Sequence, residues 1–269
     1  MDEPDSDTER GTHRVQSLER GLAVIKAFNS GAAELTLSDV ARSTGMTRAA
    51  ARRFLLTLEG LGYVRTDGKY FSLTARVLEL GYSFLSSMSL PEVAQPHLER
   101  LSAEVHESSS VSILDGTDVV YVARVAVSRI MAVTINVGTR FSAHATSMGH
   151  VLLAGLDEEA LRSYLDEARL DRLTSRTITT PDELATELRA VREQGWALVD
   201  QELEEGLRSI AVPIRDRGGE VVAAANISSH ASRTTLESMC TDVLPRLREC
   251  ATRIEADLAV TAPRRVGRG

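Results

Sequence analysis

The sequence has few cysteines, few lysines and no long hydrophobic run, and each shortage narrows the possibilities. Cys240 and Cys250 are the only cysteines. They share one helical stretch with no CxxC pair and no histidine spacing beside them, so metal and redox readings are both disfavoured. His13, His97, His106, His144, His150 and His230 are scattered, which fits structural or surface roles better than metal binding. Lysine occurs only at Lys26 and Lys69, so nearly all positive charge is arginine. No segment approaches the roughly 18 apolar residues that cross a bilayer. The start, MDEPDSDTERGTH, is acidic and lacks the apolar core of a signal peptide, so neither membrane nor export is expected and the cytoplasm is the default. There is no GxGxxG or phosphate loop, and no GxSxG elbow surrounds Ser147. Nothing calls for a cofactor.

What is present is ordinary globular composition with an uneven charge. The 269 residues are 43% hydrophobic, enough for one large or two smaller domains with a sizeable core. The net charge is −7. Yet between His13 and Arg76 ten basic residues face only five acidic ones, Glu19, Glu34, Asp39, Glu59 and Asp67. A basic module joined to an acidic body follows. The first could approach nucleic acid and the second should not.

Periodicity assigns the elements. Residues 1–13 are polar and aperiodic and read as disordered, like the tail at 261–269. VQSLERGLAVIKAF is helical, with Leu18, Leu22, Ile25 and Phe28 at one-face spacing. TLSDVARSTG is a short helix capped by Thr36 or Ser38, with Leu37, Val40 and Ala41 inward. Gly45 turns the chain, Thr47 caps a third helix from Arg48 to about Leu61, and Gly62 ends it. Two short strands flank Asp67-Gly68, a strong hairpin signal. Helix, helix, turn, helix, hairpin predicts a winged helix-turn-helix over 14–75. A linker helix over 76–90 then leads into an α+β domain over 91–260. In that domain PEVAQPHLERLSAEVHE is a helix, a second hairpin turns at Asp115-Gly116, and MAVTIN is a strand. SAHATSMGHVLLAGL begins as loop and becomes a helix near Met148. Two capped helices follow, then the strands WALVD, LRSIAVPIRD and EVVAAANIS. A last helix carries a potential kink at Pro245.

The third helix carries the clearest chemistry. Ala51, Phe54, Leu55 and Leu58 form its inward stripe. At about 100° per residue, Arg48, Ala49, Arg52 and Arg53 fall on the other side. Ala41, four residues before Gly45, lets the two helices cross closely. A recognition helix enters the major groove with its first turns leading. Arginine grips guanine with two hydrogen bonds or neutralises phosphate, and Ala49 allows close approach. Thr47 can meet a phosphate at the helix start, and Arg65 and Lys69 on the wing can touch adjacent backbone. A solvated basic face is the bland alternative. The cap, the Ala–Gly spacing and the wing together favour DNA.

The second domain reads as a sensor or, less well, as an enzyme. Asp200, Glu202, Glu204 and Glu205 form a carboxylate cluster that could do acid–base work, but a solvated loop explains the glutamates more simply. TSMG sets small residues and backbone N–H groups at a helix start, a good carboxylate site. Ser209, Asn226 and Ser228 lie on strands, and alternation lets Asn226 and Ser228 point the same way. Sheet-edge or solvent-facing polar residues remain the alternative.

Four stretches, LERGLAVIKAF, LTLSDVARSTGMTRAAARRFLLTLEGLGYV, ATSMGHVLLA and GWALVDQELEEGLRSIAVPI, resemble the IclR family of bacterial transcription regulators, a likeness that covers about 14–260. The resemblance implies a winged helix-turn-helix, a linker helix and a GAF-like effector domain with a central antiparallel sheet. It also implies dimers or dimers of dimers on palindromic operators. It carries a pocket onto Ser147, Met148, Gly149, Asp200, Ser209, Asn226 and Ser228. Ser209 stands where the family's metabolite sensors carry cysteine, and Asn226 where they carry serine. The loop between Asp200 and Gly206 is shorter by one residue. Within the family, ITTPDELATELRAVREQGWALVDQELEEGLRSIAVPI is similar to the branch controlling aromatic-acid breakdown through the β-ketoadipate pathway. The effectors implied are the carboxylates protocatechuate, 4-hydroxybenzoate and β-ketoadipate, with Arg124, Arg140, Arg208 and His144 as charged candidates near the pocket. His144 and His150 depart from the tyrosine and arginine of that branch. Two alternatives stay open: a branch sensing glyoxylate, pyruvate or a sugar acid, and an enzyme of small-acid metabolism.

Overall fold

A computed structural model describes residues 15–28, 33–80, 89–127 and 135–261. The chain divides into two compact units between Phe84 and Leu85. The predicted disordered segment 1–13, the tail beyond Thr261 and most of the linker lie outside the described residues. Of the linker, 75–77 form a 3-10 turn and 78–80 are helical.

The first unit contains α1 (Gln16–Ala27), β1 (Glu34–Thr36), α2 (Leu37–Ser43), α3 (Arg48–Gly60), β2 (Val64–Thr66) and β3 (Tyr70–Leu73). Thr36 and Asp39 close a reciprocal capping box at the start of α2. Both α2 and α3 end in the same glycine motif. Gly45, at φ +66°, lets Met46 N–H reach Ala41 C=O and its own N–H reach Arg42 C=O. Gly62, at φ +80°, does the same with Tyr63 to Leu58 and its own N–H to Glu59. Val24, Val40, Ala41, Ala51, Leu55, Leu58 and Val64 are the core.

Two expectations change here. The buried edge of α1 is Val24, with Gly21, Ile25 and Phe28 beside it, whereas Leu18 is 64% exposed and Leu22 45%. A Cβ on Gly21 would lie 4.0 Å from the Phe54 ring, so the helix rests on α3 along its 21-24-25-28 line. The three-residue β1, too short to show alternation, adds a third strand to the predicted hairpin in the order β1-β3-β2.

The second unit has α4 (Ser89–Val105), β4 (Ser108–Asp115), β5 (Asp118–Val125), β6 (Arg140–Ser142), α5 (Ser147–Ala154), α6 (Glu158–Glu167) and α7 (Pro181–Gln194). There follow β7 (Ala197–Asp200), β8 (Leu207–Arg215), β9 (Val221–His230), α8 (Leu236–Ser238) and α9 (Leu244–Thr261). The six strands make one antiparallel sheet in the order β6-β5-β4-β9-β8-β7. Side chains alternate across it. Ile210, Val212, Ile214, Ala225 and Ile227 pack on α4 and α9. Tyr121, Ala197, Ala211 and Ala224 pack under α5 and α7.

The expected strand MAVTIN is not formed where it is described. Residues 131–134 lie outside the described residues, and Ile135 and Asn136 have no strand pairing. The sheet edge is β6 instead, paired with β5. The last helix is interrupted by a π turn over Met239–Val243, just before Pro245. Proline has no N–H, and a local π adjustment is a common response to that gap; here Leu244 N–H returns to Met239 C=O.

Candidate functional site

On α3 the sequence and the structure agree side chain by side chain. Thr47 Oγ1 accepts from Ala50 N–H at 3.2 Å, which fixes the helix start. Ala51, Leu55 and Leu58 turn inward, while Arg48, Ala49, Arg52 and Arg53 are exposed. Among the described residues no salt bridge holds Arg48, Arg52 or Arg53, whereas Arg42 is paired with Asp39 and Arg76 with Glu79. On the wing, Asp67 Oδ1 accepts from Lys69 and Tyr70 N–H at 2.9 and 2.7 Å, closing the turn. Those bonds hold its carboxyl below the usual range. Lys69 then projects beyond the turn with its Nζ 4.8 Å from the Tyr70 ring centre. Arg65 Nε donates to Ser72 Oγ at 3.0 Å across the two strands. The result is an exposed row of arginines with a basic wing on the same unit, chemistry suited to a phosphate backbone and base edges.

The second unit gathers polar groups on the sheet face beneath α5. In β4, Ser110 lies between Arg124 of β5 and Asn226 of β9, and Asn226 faces Ala211 of β8. One step along, Ser108, Ser228, Ser209 and Val199 form the next row. Ser112 Oγ lies 3.2 Å from Met148 Sδ, which ties this face to the first turn of α5. Arg124 reaches it because β5 carries one extra residue. The register slips between Val111 and Ser112, so Ala123 opposes Val111 and Tyr121 opposes Ser112. Val122 is the bulged residue, and past it the alternation is inverted.

This face is buried and incompletely paired. Ser110, Ser147, Asn226, Ser209 and Ser228 are each buried. Arg124 Nη1 donates to Ser110 Oγ at 3.0 Å, and Asn226 Nδ2 donates to Ser228 Oγ at 3.0 Å. Arg124 Nε, Asn226 Oδ1 and Ser147 Oγ have no partner among the described residues. Burial pulls the Arg124 guanidinium below its ordinary pKa. Above the face stands the start of α5, whose first N–H groups lack helical acceptors apart from the Gly149 N–H taken by Thr146 Oγ1 at 3.0 Å.

Other predicted site residues fall elsewhere. Asp200 and Arg208 are register partners on the Ile210 side of the sheet. Arg208 Nε meets Asp200 Oδ1 at 2.8 Å, and Arg176 takes the other oxygen. Arg140 is exposed and joined to Asp115 and Asp118 at the β4–β5 turn. His144 is buried, with Nε2 bonded to Asp171 C=O at 3.1 Å, while its own carbonyl meets His150 Nε2 at 2.7 Å. Gly149 serves packing, since a Cβ there would sit 1.9 Å from Ala143 C=O. Met148 is fully buried against the sheet. Sequence reasoning missed Ser110 and Ser112. The serine-rich start of β4, SSSVS over 108–112, which puts hydroxyls on one face at Ser108, Ser110 and Ser112, was the available signal. No three or more potential metal-binding side chains cluster among the described residues. No helix there is long and apolar enough to cross a membrane.

Residues 17–68 match the IclR helix-turn-helix domain, and residues 82–256 match the family described as bacterial transcriptional regulator IclR C-terminal. The chain belongs to the IclR family. It is 48% identical over 234 residues to the Pca regulon regulatory protein of Pseudomonas putida, which covers 87% of this chain and 80% of that protein. It is 40% identical over 245 residues to the p-hydroxybenzoate hydroxylase transcriptional activator of Acinetobacter baylyi, covering 89% and 90%. A crystal structure of an IclR homolog from Microbacterium hydrocarbonoxydans complexed with 4-hydroxybenzoate superposes with a TM-score of 0.79 at 28% identity, covering 90% of this chain and 98% of that one. This IclR-family chain is therefore a DNA-binding transcription regulator and not an enzyme. Of its carboxylate cluster, Asp200 is engaged by two arginines and Glu205 is exposed, whereas Glu202, expected on a solvated loop, has its Oε2 buried without a partner among the described residues.

Proposed function

We propose that this regulator senses a small organic acid, an aromatic acid or β-ketoadipate-pathway intermediate, between the start of α5 and the β5–β4–β9–β8 face. Occupancy would alter its hold on a palindromic operator. Arg124 anchors the carboxylate. Ser147, Asn226, Ser209 and Ser228 complete the lining, with the free N–H groups at the start of α5. One observation carries this reading: the face bears a half-buried cation with an unpaired Nε and no carboxylate among the described residues on it. Such a charge calls for an anion. The relative solved with 4-hydroxybenzoate and the relative named for p-hydroxybenzoate hydroxylase support the aromatic class.

In this reading Arg48, Ala49, Arg52 and Arg53 enter the major groove, with Thr47, Arg65 and Lys69 on phosphates. Two half-sites call for a homodimer or a dimer of dimers, acting in the cytoplasm. The test has two parts on the full chain. Calorimetry with protocatechuate, 4-hydroxybenzoate, β-ketoadipate and glyoxylate is expected to show binding of an aromatic-pathway acid. Fluorescence anisotropy on DNA flanking the gene, at fixed salt, is expected to shift with that acid. Glyoxylate alone binding would move the protein to another branch, and no acid binding would remove the sensor reading.

A further inference from the structure

We infer that Asn226 makes the site select acids that also carry a hydroxyl donor. The inference rests on the sensor reading above and narrows it. Asn226 lies in mid-strand and is 3% exposed. Its amide is oriented by Nδ2–H donating to Ser228 Oγ at 3.0 Å, which leaves Oδ1 facing the α5 side without a donor among the described residues. Of its register neighbours, Ala211 on β8 offers only a methyl group, and Ser110 on β4 accepts from Arg124 Nη1 and makes no bond to Oδ1.

The two unpaired atoms make opposite demands. Arg124 Nε is a donor and requires an acceptor. Asn226 Oδ1 is an acceptor and requires a donor. An ionised carboxylate only accepts, so it answers the first and cannot answer the second. A ligand that satisfies both needs an acid group together with an O–H, as a hydroxybenzoate has and benzoate lacks. Leaving a buried acceptor unpaired is the strongest way for a site to reject a near-isostere.

The test is isothermal titration of the full chain with 4-hydroxybenzoate and with 4-fluorobenzoate, which matches its size and cannot donate. The wild type should bind the hydroxy acid about 10- to 100-fold tighter. In Asn226→Ala the two affinities should converge, chiefly through loss for 4-hydroxybenzoate. Asn226→Ser, a milder change, guards against a folding defect and should show the same convergence, with circular dichroism melts confirming a folded chain. Equal binding of both acids by the wild type would overturn the selection by Asn226 and leave the acid-sensing reading intact. An undiminished ratio in the two variants would do the same. Failure of both acids to bind the wild type would overturn the reading of Arg124 as a carboxylate anchor, and this inference with it.

Discussion

Arg124 faces Ser110 across the β4–β5 ladder and donates to its hydroxyl at 3.0 Å, a pairing that exists because Val122 bulges out of β5. Without that extra residue, alternation would turn the guanidinium toward the α4 and α9 core. The bulge thus supplies, among the described residues, the one charge on a face of hydroxyls and amide. Arg124→Gln should weaken binding of the acid effector at least about tenfold, since charge-assisted hydrogen bonds to a carboxylate exceed neutral ones. Stability should hold or rise, because a half-buried charge is removed. Arg124→Lys should recover little, because a point charge on a flexible stem does not reproduce Nε. Calorimetry and thermal melts read both. Unchanged effector affinity in Arg124→Gln would remove the anchor.

Arg52→Ala should weaken operator binding and lower the slope of log affinity against log salt by about 1 if the side chain neutralises one phosphate. A slope left unchanged, with a loss confined to one operator position, would mark Arg52 as a base reader instead. In either case effector affinity should be untouched, because Arg52 and the α5 face belong to different units. A joint fall in operator and effector binding would contradict that separation.

Two glycines separate packing from propensity. A Cβ on Gly149 would meet Ala143 C=O at 1.9 Å and Ala143 Cα at 2.5 Å, all backbone, so Gly149→Ala must push the 3-10 turn formed by Ala143–Ala145 off α5. A destabilisation above about 2 kcal/mol is expected. Gly60, in the last turn of α3, has nothing within 4 Å of the corresponding position. Gly60→Ala should be neutral or stabilise by up to about 1 kcal/mol, through the helix and the unfolded chain. Urea melts with equal m-values would read the difference. A neutral Gly149→Ala would mean that the turn has another place to rest.

What could be read in advance was local chemistry. The glycine ends of α2 and α3, the Thr36 and Thr47 caps and the Asp67-Gly68 turn are encoded within a few residues, and each formed where expected. The arginine face of α3 followed from helical spacing alone. The sheet site was half legible. Asn226 and Ser228 share a face by alternation, as expected, and Asn226 bonds to Ser228 directly. Arg124 was a nearby charge without an address, since VVYVARV shows no mark of a bulge at Val122. Asp200 offered a free carboxylate in the sequence; its partners Arg176 and Arg208 come from a loop 24 residues away and from the neighbouring strand. Gly149 suggested an open N–H, yet Thr146 uses that N–H and the missing Cβ makes room for Ala143. In each case the deciding partner is distant along the chain or is a backbone atom, and composition marks neither.

Glu202 gives the last prediction, one of pH. Its Oε2 is buried without a partner among the described residues. Burial is the main cause that pushes its pKa up from 4.5 to about 7; a bond from Ile178 N–H opposes it, and Glu187 and Asp200 add lesser repulsion. The folded chain therefore holds this proton more tightly than the unfolded chain does. Between about pH 4.5 and 7 the native state binds more protons, so this group's contribution to stability is full below that window and is lost as pH rises through it. His150 runs the other way: its pKa is lowered to about 4 by burial, so its stability contribution grows from about pH 4 to 6.5. A wild-type profile mixes the two, and a difference profile separates them. The melting temperature of Glu202→Gln minus that of the wild type should be near its minimum at pH 4.5, climb through pH 6, and level off above about 7. A difference independent of pH would mean that Glu202 is solvated in solution, and the glutamine would then report only lost packing.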